Sequence, residues 1–153
     1  NKPKLVERVS DRAFYEPKSD RVVIPKRGQF ASLEHFYSTE FHELVHSTGH
    51  EKRLGRFDSK RSSVFGSKDY SFEELVAEVG ASMLLSKAGI NSDKLFENTS
   101  AYIDSWIDAL KGDKSMVVKA SGKAMKAVEY ITEKKEEEKD EGTGRKKVQA
   151  GTV

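Results

Sequence analysis

The chain has 153 residues, of which 36% are hydrophobic and 34% are charged, and its formal net charge is +2. This length suits one compact domain, and the small net charge does not by itself indicate a nucleic-acid partner. No apolar run approaches the roughly 20 residues of a membrane span, no signal peptide opens the chain, and the lack of cysteine excludes disulfides and thiolate metal sites. We therefore expect a cytoplasmic protein that does not contact a membrane.

The first 25 residues predict a linker followed by a β-hairpin. Residues 1–11 resemble a linker or the start of a truncated N-terminal region, and because the first residue is Asn1 we expect a piece of a longer protein. Residues 13–17 and 21–25 are short β-type runs separated by a polar turn, and each ends in proline. This pattern predicts a hairpin with the prolines at strand ends or on a sheet edge.

A helix is predicted to begin after Ser32, a good N-cap, and to end near Gly49, which can adopt the left-handed conformation without steric cost. Apolar residues recur at helical spacing between these two positions and predict the face turned to the core. They are Leu33, Phe36, Tyr37, Phe41, Leu44 and Val45.

Three more helices are predicted after a polar loop over residues 51–70. The first opens with a capping-box pattern at Ser71 and ends at Gly89. Its apolar positions are Leu75, Val76, Val79, Met83 and Leu84. The next helix carries Tyr102, Ile103, Trp106, Ile107 and Leu110, and the last carries Val117, Val118, Met125, Val128 and Ile131. We expect one domain over residues 12–131 and a disordered charged tail over residues 132–153.

The segment from His42 to His50 carries the chemistry, because it contains the pattern His-Glu-x-x-His. Residues four apart share one face of a helix, so His42 and His46 can bind the same metal ion. Glu43 lies beside that ion, where it can accept a proton from metal-bound water. The pattern predicts a zinc-dependent peptidase, although histidine and carboxylate ligands also accept manganese or iron.

The third ligand must come from another segment. The position six residues after His46 is Lys52, and His50 follows the expected end of the helix, so the motif is not completed locally. Glu74 and Glu78 lie one turn apart on the next helix, and one of them can bind the metal while the other orients a histidine. We favour Glu74 as ligand, with the reverse assignment open. Glu73 points about 100° away and is the least favoured candidate.

Other residues near the motif have alternative roles. Glu74 can instead be the capping partner of Ser71. His50 and Tyr70 are candidates for stabilising an oxyanion, and Tyr37 shares that possibility. His50 is more simply read as a surface residue or as a contact of a ligand, and His35 as a surface or packing histidine.

Basic side chains cluster in two places and give a possible contact with DNA. Residues 1–27 carry eight basic and four acidic side chains. The second cluster follows the histidine motif and consists of Lys52, Arg53, Arg56, Lys60 and Arg61. A solvated protein surface is the simpler interpretation of both clusters.

The chain resembles the zincin-like metallopeptidase domain of ArdC-type antirestriction proteins over about residues 12–131. The matching segments are Ala13-Phe14-Tyr15-x-Pro17-x-x-Asp20-x-Val22-x-Ile24-Pro25, His42-Glu43-Leu44-Val45-His46-x-Thr48-Gly49-His50 with Arg53-Leu54, Phe65-Gly66, Glu73-Glu74-Leu75-Val76-Ala77-Glu78 and Tyr102-Ile103-x-Ser105-Trp106. The resemblance implies an α+β zincin-like fold, with a small N-terminal hairpin or sheet packed on the histidine helix, a second helix bearing glutamate, and C-terminal helices. It also implies an origin on mobile genetic elements.

The resemblance implies His42 and His46 as ligands, Glu43 as catalytic carboxylate, and an acidic residue between Glu74 and Glu78 as third ligand. An N-terminal domain that binds single-stranded DNA usually precedes this domain in the family, and we expect it to be missing here. The leading hypothesis is hydrolysis of a peptide bond in a protein or peptide substrate of antirestriction or regulatory function. The alternative is a non-catalytic module, braced by its metal, that binds DNA or a restriction or regulatory protein.

Overall fold

A computed structural model describes residues 1–57, 68–90, 111–113 and 115–133. The elements in these ranges are β1 (Lys4–Arg8), β2 (Phe14–Glu16), β3 (Arg21–Pro25), α1 (Leu33–Ser47), α2 (Lys68–Lys87) and α3 (Ser115–Thr132). Short 3₁₀ turns lie at Pro17–Ser19 and Arg27–Gln29. The architecture is α+β, as the sequence predicts. The predicted helix around Tyr102–Leu110 and nearly all of the predicted tail lie outside the described residues.

The three strands form one sheet in the order β1-β3-β2. β2 and β3 pair antiparallel as the predicted hairpin, whereas β1 runs parallel to β3 on its other side. β3 is the central strand, and its apolar run Val22–Ile24 is buried. Residues 4–8, which belong to the segment predicted as a linker or a truncated N-terminal region, therefore form a strand. The mixed polar sequence of this segment does not predict a strand. Its pairing with β3, rather than its local propensity, makes it one.

α1 lies between the sheet and the other helices. On one side, Phe36 packs with Val22 and Ile24 of the sheet. On the other side, Val45 joins a larger cluster with residues of α2 and α3. Burial on both sides fixes the orientation of α1, and therefore the direction in which its remaining face points.

The ends of the helices follow the sequence in part. Ser32 caps α1 by accepting a hydrogen bond from the His35 backbone N–H, as predicted, and Gly89 after α2 has a left-handed φ of 69°. Gly49 does not adopt a left-handed conformation. It is required for space instead, because a Cβ there would lie 2.6 Å from the Phe57 ring. α2 begins at Lys68, so Ser71 lies inside the helix and does not form the predicted cap.

The buried face of α3 differs from the prediction. Val117, Val118 and Met125 are among the exposed large hydrophobic residues, as is Leu33 of α1. Val128 is buried, and it is accompanied by Ala120, Ala124 and Ala127. Small side chains let α3 approach α2 closely. The prediction missed this face because it was based on the spacing of large hydrophobic residues. None of the helices among the described residues is both long and apolar enough to cross a membrane.

Candidate metal centre

The two histidines of the motif face each other on α1. Their spacing of four residues places both side chains on one side of the helix, away from the packed faces. The Nε2 atoms of His42 and His46 are 3.0 Å apart, and their ring centroids are 4.7 Å apart. Their side chains are 18% and 13% exposed, so water reaches them only partly.

Glu74 of α2 completes a three-residue cluster. One of its carboxylate oxygens lies 3.4 Å from His42 Nε2, and the other lies 3.4 Å from His46 Nε2. Ligands about 2.0–2.1 Å from a tetrahedral ion are roughly 3.3 Å from one another. These three side chains therefore enclose a space of the size that a divalent ion needs. Among the described residues, this is the group whose ligand atoms can hold a metal together.

A second pair of glutamates contacts the outer nitrogens of the histidines. Glu78 Oε1 lies 3.2 Å from His42 Nδ1, and Glu73 Oε1 lies 3.4 Å from His46 Nδ1. A carboxylate beside Nδ1 keeps the proton on that nitrogen, which leaves the Nε2 lone pair for a metal. The sequence predicts such a role for Glu78, whereas the contact of Glu73 is a finding of the structure.

The electrostatics of the cluster favour a positive charge between the two histidines. Burial lowers the pKa of His42, but hydrogen bonds to Glu74 and Glu78 outweigh it and raise that pKa to about 10. Burial raises the pKa of Glu74, but its hydrogen bonds to His42 and His46 bring it well below the usual range. Two facing Nε2 atoms at 3.0 Å need a shared proton or a bound cation, and a divalent metal ion supplies the charge more fully.

Glu43 lies beside the cluster and is buried, with 9% of its surface exposed. Its pKa is raised by burial, while the two histidines act in the opposite direction. The Tyr15 backbone lies beside the Glu43 carboxylate and also acts to lower this pKa.

The cluster opens into a cavity of about 660 Å³. β2 and the residues before it form one wall, α1 forms the floor, and the start of α2 forms the opposite wall. Glu43, Tyr70, Glu73 and Glu78 line this cavity together with the three clustered residues. His50 does not line it, and its Nδ1 accepts a hydrogen bond from the Lys52 backbone N–H. The structure therefore brings Tyr70, but not His50, to the site.

Two arginines of the second basic cluster are used inside the protein. The Arg53 guanidinium is 1% exposed and donates to Asp20, to the Tyr15 hydroxyl and to the Ser47 carbonyl. The Arg56 guanidinium is 6% exposed and pairs with Glu73. Both side chains are buried and hydrogen-bonded inside the protein, so they are not part of an exposed basic surface. Lys52 is exposed, and Lys60 and Arg61 lie outside the described residues.

Comparisons with known proteins agree on the type of domain. The family described as zincin-like metallopeptidase matches residues 2–123. Two Escherichia coli proteins named DNA primase TraC are 39% identical over 127 residues and 40% identical over 121 residues, which is 83% and 79% of this chain. The matched regions are only 8% and 11% of those proteins, so the chain corresponds to a small part of each.

Solved structures of the antirestriction protein ArdC from plasmid R388 have the same fold. The Mn(II)-bound form is 36% identical and superposes with a TM-score of 0.68, covering 84% of this chain and 46% of ArdC. The metal-free form gives 37% identity and a TM-score of 0.67, and 45% of ArdC is covered. The resemblance to ArdC-type domains is therefore confirmed. A manganese-bound relative together with the cluster of His42, His46 and Glu74 supports metal binding without deciding which ion is bound.

Proposed function

The chain belongs to the zincin-like metallopeptidase family, and we propose that it is a metal-dependent hydrolase of peptide bonds in a protein substrate. The observation that carries this proposal is the placement of Glu43. A metal that only braced the fold would need its ligands but would have no use for a further buried carboxylate. Here such a carboxylate lies beside the ligands and inside a cavity that is large enough for a peptide segment.

His42, His46 and Glu74 are the ligands in this proposal, and Glu78 and Glu73 hold the two imidazoles. A divalent ion held there would activate a water molecule and polarise a substrate carbonyl. Zinc is the ion expected from the motif, and manganese is supported by the ArdC relative. Glu43 accepts the proton of the attacking water and can return it to the leaving amine. Tyr70 also lines the cavity and is the candidate for stabilising the developing oxyanion.

Binding of an extended peptide along β2 fits the open side of this strand. β2 is an edge strand of the sheet, and its residues Phe14 and Tyr15 line the cavity, so a substrate chain can pair along it. The relatives named antirestriction protein and plasmid-type primase favour a regulatory or restriction-system protein as substrate in a mobile-element context. The proposal also includes a contact with DNA through the exposed basic residues near the N-terminus.

The test compares Glu43→Gln with wild type after both are loaded with Mn²⁺ or Zn²⁺. The probe is a mixture of peptides of many sequences, and cleavage is followed by mass spectrometry. Glu43→Gln is expected to bind the metal within about threefold of wild type and to lose at least about a hundredfold in cleavage rate. Glu40→Gln is the matched control, because Glu40 lies on the same helix and does not line the cavity.

Equal cleavage by Glu43→Gln and wild type would refute the role of Glu43. A wild type that binds the ion and cleaves nothing would favour a metal-braced module that binds DNA or a restriction or regulatory protein. DNA binding measured on the same samples then shows whether that module binds DNA or binds a restriction or regulatory protein.

A further inference from the structure

Arg56 connects the ends of the two helices that carry the metal ligands. Its Nη2 donates to the Val45 carbonyl at 2.8 Å, and its Nη1 donates to the Thr48 hydroxyl at 2.6 Å. Both acceptors lie at the C-terminal end of α1, and the Thr48 hydroxyl itself donates to the Val45 carbonyl at 2.6 Å. The same guanidinium forms two bonds to Glu73 of α2, with Nε to Oε2 at 3.1 Å and Nη2 to Oε1 at 2.7 Å.

These bonds determine where the Glu73 carboxylate points. Two parallel N–H donors hold a carboxylate in one plane, which a single donor cannot do. In that plane, Oε1 lies 3.4 Å from His46 Nδ1. Glu73 is 17% exposed, so its contact with Arg56 is only partly screened by water. The orientation of the His46 ring is therefore coupled to Arg56 through Glu73.

We propose that Arg56 is a positioning residue of the metal centre, acting through Glu73 to hold the His46 imidazole with Nε2 towards the ion. This inference rests on the metal binding of the proposed function and not on peptide hydrolysis. Arg56 does not line the cavity, and its hydrogen bonds go to Val45, Thr48 and Glu73 rather than to the three proposed ligands. Its effect reaches the site through one carboxylate and through the spacing of α1 and α2.

A lysine in place of Arg56 cannot reproduce these contacts. Its single ammonium group lacks the planar fork that engages both oxygens of Glu73 while still reaching α1. Arg56→Lys is therefore expected to keep the charge and lose the orientation. Glu73→Gln keeps the shape of the side chain and loses the charge that attracts Arg56.

The experiment measures metal affinity in matched variants. Arg56→Met and Arg53→Met each remove one buried arginine near the end of α1, but only Arg56 contacts Glu73. Mn²⁺ or Co²⁺ affinity is measured by competition with a fluorescent chelator, and thermal unfolding is measured on the same samples. Arg56→Met is expected to bind the ion about 10–100-fold more weakly than wild type, which is the usual effect of losing an outer contact of a ligand. Arg53→Met is expected to lower the unfolding temperature and change the affinity by less than about threefold.

Proton NMR of the Zn²⁺-loaded protein gives an independent measurement. The Nδ1–H of His46 beside Glu73 and that of His42 beside Glu78 should each give a downfield resonance protected from exchange. Arg56→Lys, the milder change, should weaken the protection of the His46 resonance and leave that of His42, which serves as internal control. Glu73→Gln should reproduce the affinity loss if Arg56→Met does not fold.

Equal affinity losses in Arg56→Met and Arg53→Met would show a general structural effect and overturn the inference. Unchanged affinity in Arg56→Lys and Glu73→Gln would overturn it as well. A wild type that binds no ion would overturn the metal centre and this inference together. A wild type that binds the ion but cleaves no peptide would remove only the peptidase activity, because the affinity comparison does not depend on hydrolysis.

Discussion

Replacing Arg53 by methionine should destabilise the protein more than any surface substitution nearby. The guanidinium donates to both oxygens of Asp20, to the Tyr15 hydroxyl at 3.0 Å and to the Ser47 carbonyl at 2.7 Å. Methionine retains much of the aliphatic packing and removes all of these donors. Ser47 keeps one donor, the His50 backbone N–H at 3.1 Å, so the main loss falls on Asp20.

The size of the loss follows from the burial of the pair. Removing one partner of a buried ion pair costs about 3–5 kcal/mol, because the other charge is left without compensation. Asp20 is 22% exposed, and water will partly solvate its freed carboxylate, which places the expected cost near the lower end, about 3 kcal/mol. For a chain of this length, that corresponds to a fall of about 6–12 °C in the unfolding temperature.

The assay is urea unfolding followed by circular dichroism, with Lys52→Met as control. Lys52 is the exposed neighbour of Arg53, and its loss should change the free energy of unfolding by less than about 0.5 kcal/mol. Asp20→Asn in the Arg53→Met background should cost less than Asp20→Asn alone, because the charge it removes is no longer paired. A loss below about 1 kcal/mol for Arg53→Met, or strictly additive effects, would refute the reasoning.

Because of the ion pair between Arg53 and Asp20, the difference in unfolding free energy between wild type and Arg53→Met should depend on pH. The hydrogen bond from Arg53 lowers the pKa of Asp20 to about 2, although burial acts in the opposite direction. A carboxyl group with a lowered pKa stabilises the fold above its unfolded pKa of about 3.9 and loses that contribution as the pH falls. The difference in stability should therefore be constant above about pH 5 and shrink between pH 4 and pH 2.

Two further predictions concern the metal centre. Because the pKa of His42 is about 10 without metal, each ion must displace a proton at neutral pH, so affinity should rise about tenfold per pH unit between pH 7 and pH 9. Calorimetry in buffers with different ionisation enthalpies counts the released protons, and an affinity independent of pH would contradict the prediction. Glu74→Gln should weaken binding of Mn²⁺ by more than about a hundredfold, and Glu78→Gln by about tenfold or less. The opposite order, measured by the same chelator competition, would make Glu78 the ligand.

Much of the fold could be predicted because its signals are local. The N-cap at Ser32, the left-handed Gly89 and the hairpin of β2 and β3 each follow from a few neighbouring residues. The histidine pair is equally local, because helical spacing alone brings the two rings together. Glu74 could be favoured over Glu78 only from its place in the pattern Glu74-Leu75-Val76-Ala77-Glu78, because its distance from the histidines depends on how α1 and α2 pack.

Features that depend on distant partners could not be predicted. β1 is a strand because it pairs with β3, and its own sequence does not require it. Gly49 matches a helix terminator in sequence, but the ring of Phe57 is what excludes a side chain there. Glu73 is 100° from Glu74 on an ideal helix, which excludes it as a ligand of the same ion but says nothing about contact with the outer nitrogen of His46.

The two buried arginines show why charge patterns in a sequence are a poor guide to surfaces. Arg53 and Arg56 lie in a basic cluster, yet their acidic partners are 33 and 17 residues away in the chain. Arg53 connects the end of α1 to the hairpin whose Tyr15 backbone lies beside Glu43, and Arg56 connects it to α2 beside Glu74. Glu43 and His46 lie on α1 and Glu74 lies on α2, so the three side chains come together only in the folded chain. The short segment after α1 therefore sets the distances on which the proposed chemistry depends, although it contributes no group to the cluster itself.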